Sequence, residues 1–97
     1  MTDAQRNAVA DRAVRAVRGN RRLRRAYGLG WLDLVIVLSP LVIDLIGRIL
    51  AILRDRESAG ERYGAARFDA YRLIAPEGHD AELVAIVEDA EIEVVGP

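Results

Sequence analysis

The residues able to do chemistry in this chain are few, and their spacing suits none of the common reactions. Two serines (Ser39 and Ser58), Thr2 and a single histidine (His79) are the whole stock of small nucleophiles and imidazoles. The absence of cysteine excludes disulfides, thiolate catalysis and cysteine-bound zinc. His79 adjoins Asp80, but neighbours in a helix do not face each other and no nucleophile lies near, so it reads as a solvated turn histidine. Gly28-Leu29-Gly30 has the opening of a dinucleotide-binding fingerprint, yet Asp33 stands where the third glycine belongs and no strand precedes it. Gly60 and Gly64 have the spacing of closely packed membrane helices, but Glu61, Arg62 and Arg67 surround them. The carboxylates Glu88, Asp89, Glu91 and Glu93 lack the loop spacing of a calcium site. No catalytic residue, cofactor or metal is expected, and the chain reads as non-enzymatic.

Charge carries more information than any motif. The chain has 97 residues, 14 basic and 15 acidic, and every basic residue is arginine. Residues 1–27 hold eight arginines against Asp3 and Asp11, a balance of +6. Residues 28–74 hold six charges of each sign, and residues 75–97 hold seven acids and no base. A basic arm of this kind predicts an anionic neighbour, either lipid head groups or nucleic acid. The contact residues expected are Arg12, Arg15, Arg18, Arg21, Arg22, Arg24 and Arg25. Nucleic-acid contact through them is sequence-independent, because only Tyr27 is available for stacking and no recognition motif is present. The same asymmetry also permits head-to-tail contact between copies.

Periodicity predicts the elements that must position these groups. From Thr2 to Arg18, Val9, Ala10, Ala13, Val14 and Val17 share one helical face, opposite Asp11, Arg12, Arg15 and Arg18. Gly19-Asn20 punctuates that helix. A weakly amphipathic helix is predicted over 60–75, a turn at Pro76-Glu77-Gly78, and a final helix capped by Asp80. Glu91 to Val95 alternates acidic and apolar residues and admits a short strand. The expected class is all-α, with three to four helices and one long apolar central helix. Three segments follow: a basic N-terminal segment over 1–27, the apolar helix over 28–57, and a weakly amphipathic, acidic segment over 58–97.

The apolar run dominates the rest. From Trp31 to Leu53, 16 of 23 residues are Leu, Ile, Val or Trp. Positions 33, 40, 44, 48, 51 and 55 recur at helical intervals, making a narrow polar or small stripe on an otherwise apolar cylinder. Asp44 and Arg48 form an i,i+4 pair on it, expected to be buried and mutually neutralising. Ser39-Pro40 could begin a new helix, but the stripe runs through the proline in phase, which favours one continuous, kinked helix.

Two settings can cover such a helix. Residues 29–53 are long enough to span a bilayer, with Tyr27 and Trp31 as interfacial aromatics and the Arg21–Arg25 cluster on the cytoplasmic side. Sixteen apolar residues favour insertion by about 5 to 9 kcal/mol, and Asp44 with Arg48 returns most of that. A cleaved signal peptide is not expected, since the basic region before the run is too long. The alternative is a soluble virion or large-complex subunit whose apolar helix is buried between subunits and whose arginines contact nucleic acid. Either way the helix needs cover from lipid or from other chains, in a homo-oligomer or larger assembly. A membrane-anchored structural or assembly subunit, N-terminus cytoplasmic, is the expectation.

Overall fold

The computed structural model describes residues 1–97 and contains only helices. Helix α1 covers Asp3–Arg18, α2 Arg21–Tyr27, α3 Trp31–Ser58, α4 Tyr63–Ile74 and α5 Ala81–Val95, with a 3₁₀ turn at Ala75–Glu77 before α5. Thr2 and Gln5 close a capping box on α1, each side chain accepting from the other residue's backbone N–H. Asp80 caps α5 by accepting from the Glu82 and Leu83 amides.

Two expectations are corrected. There are five α-helices, not three or four, because the basic cluster after Gly19 is itself a helix. Asn20 begins that helix as well as punctuating the one before it, since its side chain accepts from the Leu23 amide at 2.9 Å. Gly28, in the left-handed region at φ 66°, ends α2 within seven residues. The possible C-terminal strand is absent: Glu91–Val95 continues α5, whose buried residues Leu83, Val87, Ala90 and Glu91 recur at helical rather than alternating spacing.

Helix α3 runs unbroken through Pro40. The proline supplies no amide to the ladder, and the neighbouring Ser39 hydroxyl bonds back to the Val35 carbonyl at 2.5 Å. Twenty-eight helical residues reach about 42 Å, close to the 44 Å long axis of the whole molecule. The other helices lie along α3. Arg18 covers Trp31 at one end, and Arg6 and Ala10 line a shared hollow with Ile43 and Gly47 further along, so α1 runs antiparallel to α3. Helix α4 returns along another flank, with Arg48 near Glu77 and Arg56 near Asp69.

One core of 18 buried apolar residues joins these helices. Leu34, Leu38, Val42, Leu45, Ile49 and Leu53 form the inward row of α3. Val9, Ala13 and Val17 of α1 and Ala66, Ala70 and Ile74 of α4 meet that row from two sides. Three of these six residues are alanines, which leaves most of the larger aliphatic side chains of the core to α3.

Candidate functional site

The charge gradient of the chain closes on itself. Arg12 of α1 pairs with Glu93 of α5 at 2.5 Å, and Arg22 of α2 lies 3.5 Å from Glu82. The Asn20 amide donates to Glu82 at 3.0 Å, and the Tyr27 hydroxyl donates to Asp80 at 3.3 Å. The acidic last helix therefore lies antiparallel on the basic first one, and two of the seven arginines expected to meet an anionic partner, Arg12 and Arg22, already have carboxylates within the fold. Arg18 instead covers the Trp31 ring at 4.4 Å. Arg15, Arg21, Arg24 and Arg25 form no ion pair. Arg21, Arg24 and Arg25 line an open hollow of about 410 Å³ with Leu29.

Asp44 and Arg48 form their pair, Arg48 Nε to Asp44 Oδ2 at 2.9 Å, but the expectation of burial is corrected. The two side chains are 56% and 54% exposed in the chain. The inward row of α3 uses the opposite side of the helix, so the stripe stays open to solvent, and Asp44 lines an open hollow with Asp80 and Leu83 at the start of α5. Arg48 also comes within 3.8 Å of Glu77. Trp31 and Tyr27 are partly exposed beside the arginine-rich end.

Exposed aliphatics lie on both sides of that stripe. Leu32, Ile36 and Ile43 flank it on one side and Val37 and Leu41 on the other, and Ile36 and Ile43 are 62% and 61% exposed. Gly47 lies on the same face, and a Cβ built there would meet nothing within 4 Å. An isolated exposed aliphatic is ordinary, but five along one helix make two apolar rows with the charged stripe between them. The stripe is visible in the sequence, whereas the exposure of the aliphatics beside it departs from the expectation that they are covered.

A second feature carried no recognised signal. Glu91 is 1% exposed, the single buried charged side chain. The hydroxyls of Tyr63 and Tyr71 both donate to it, Tyr71 at 2.9 Å. Burial, then the Glu91 carboxyl, pushes both tyrosines well above the ordinary phenol value, while Arg67 beside Tyr63 pulls that one back partway. Arg67 spans the gap to the Gly96 carbonyl at 2.7 Å. Tyr63, Arg67 and Tyr71 follow one another at i, i+4 and i+8 on α4, a spacing visible in the sequence but empty of meaning until Glu91 is placed opposite. The cluster is enclosed and internally satisfied, a clamp between α4 and α5.

His79 sits in the turn before α5, 3.3 Å from Glu77. Ser39 is committed to the Val35 carbonyl. No group of three or more His, Cys, Asp or Glu side chains is placed to hold a metal ion. The geometry offers one helical face with apolar flanks and a charged centre line, and one arginine-rich end. Comparison with protein-family models, with curated proteins and with solved structures found no match to this chain.

Proposed function

We propose that the chain is a non-enzymatic structural subunit that works by burying the outer face of α3 against another protein surface inside a larger assembly. The observation that carries this reading is the row of half-exposed aliphatics on both sides of a charged stripe. Water disfavours the aliphatics and a hydrocarbon environment disfavours the stripe, whereas a protein surface can answer both. The unpaired arginines at the α2 end then face an anionic neighbour, with nucleic acid as the natural candidate inside a particle.

A second reading keeps α3 as a membrane span with the N-terminus cytoplasmic. Its support is composition: α3 is long and apolar enough to cross a bilayer, with a mean hydropathy of 2.3 over its best 18 residues. Tyr27, Trp31 and the arginines would then meet the interface and anionic lipid head groups. The folded bundle weighs against it. Charged α1 and α5 lie along α3, so spanning would require α3 to leave them and forfeit the shared core.

Fractionation separates these readings. Detergent-free protein at micromolar concentration is expected to sediment as a defined species larger than 10.7 kDa, and to be released from membranes by carbonate. Carbonate-resistant pelleting would favour the span, and a stable, well-folded monomer would exclude both.

A further inference from the structure

We propose that the occupant of the outer α3 face is a second copy of this chain, packed antiparallel about a twofold axis near Ile43 and Asp44. The proposal rests on the reading of that face as an assembly surface and names its partner. Four positions on the face, Asp33, Pro40, Gly47 and Arg54, recur every seven residues, the repeat that keeps one helical seam against a neighbour. Asp33 and Arg54, about 32 Å apart along the helix, are both exposed and belong to no ion pair within the chain. An antiparallel twofold midway between them sets each Asp33 beside Arg54 of the other copy, so one operation makes two ion pairs. A parallel pair would set like charges side by side at both ends.

The same axis sets Pro40 beside Gly47 of the other copy. That pairing accounts for two residues the isolated fold does not explain. Glycine in a helix interior is unfavourable relative to alanine, yet nothing in this chain approaches Gly47 closely enough to require it. A neighbouring helix carrying a bulky proline ring at that level does require it. Gly47 also forms part of a hollow of about 340 Å³ with Arg6, Ala10 and Ile43, space open to a side chain arriving from outside. Near the axis, Asp44 brings no uncompensated charge, because its own Arg48 holds it at 2.9 Å.

Charge reversal tests the arrangement on the full chain. Asp33→Arg alone and Arg54→Asp alone should each weaken self-association about tenfold, since each creates two like-charge contacts. The double variant should return to the parental dissociation constant by analytical ultracentrifugation. Orientation is read separately, because the chain has no cysteine of its own. With a short bis-maleimide, Asp33→Cys should link to Arg54→Cys in a mixture and not to itself, and Ile43→Cys should link to itself. Self-association that ignores the reversals, or Asp33→Cys linking to itself, would overturn the antiparallel pair while leaving an assembly surface in place. A monomer at every micromolar concentration would overturn both, and binding to anionic vesicles without any dimer in water would overturn this pairing in favour of a lipid partner.

Discussion

Tyr71 of α4 donates its hydroxyl proton to the buried Glu91 of α5 at 2.9 Å, and Tyr63, two turns earlier on α4, donates to the other carboxylate oxygen. These bonds and Arg67's hold on the Gly96 carbonyl tie together two helices that pack chiefly on others, α4 on α3 and α5 on α1. A carboxyl group taken out of water depends on such donors. Tyr71→Phe is therefore expected to cost about 2 kcal/mol of stability, the scale of a hydrogen bond to a charged group. Glu91→Leu alone leaves two hydroxyls unanswered, whereas Glu91→Leu with both tyrosines changed to Phe removes the whole polar set. Urea denaturation should find the triple variant more stable than the sum of single losses predicts.

The same cluster sets an alkaline limit. Burial first, and then Glu91, holds the Tyr71 phenol above its ordinary value near 10. Its folded-state pKa is thus raised above its unfolded one, so its contribution is fully present below pH 10 and is lost as pH rises further. In that range the unfolded chain sheds a proton that the folded chain keeps, and stability falls by about 1.4 kcal/mol per pH unit from this residue. Denaturant midpoints measured between pH 8 and 11.5 should show the decline, and Tyr71→Phe should remove its share while the part due to Tyr63 remains.

Asp44 and Arg48 were expected to behave as a buried pair, in which removing one partner strands a charge. Exposed at the surface, each can return to water instead. In the dilute, unassociated chain, Arg48→Gln is expected to lower the thermal midpoint less than Tyr71→Phe does, with the loss shrinking further in high salt. The double variant with Asp44→Asn should lie close to either single one. A large, salt-insensitive coupling in the double-mutant cycle would mean that the pair is enclosed in solution, as it would be beneath a partner.

The elements were legible wherever one strong signal governed them. The Asp80 cap and the apolar periodicity of α1 and α3 stand in the sequence much as they stand in the fold. Helix α2 was not legible: Arg21–Arg25 has no apolar period, and its formation rests on Asn20 serving as a cap and on Leu23 reaching the core. Which side of α3 faces inward was also hidden. Its aliphatics surround most of the helix, so hydropathy alone cannot choose, and the choice falls to the small-residue faces of α1 and α4. The Glu91 cluster was unreadable for a different reason. Its members come from positions 63, 67, 71 and 91, joined only by tertiary packing, and Glu91 sits among acids that are otherwise mostly solvated.

Gly47 offers a test in which stability and assembly move in opposite directions. It lies in the interior of α3, where glycine leaves the unfolded chain more freedom than alanine does. A methyl group there meets open space within the chain, so no clash offsets the gain. Gly47→Ala is therefore expected to stabilise the dilute, unassociated chain by about 0.5–1 kcal/mol. The same methyl group would stand where a neighbouring helix needs to approach, and Gly47→Leu more so. Thermal midpoints at sub-micromolar concentration should rise for Gly47→Ala, while the concentration at which the chain self-associates should rise as well. If both substitutions leave association untouched, the outer face of α3 meets its partner elsewhere along its length; if Gly47→Ala lowers the dilute midpoint, the glycine answers a demand inside the chain.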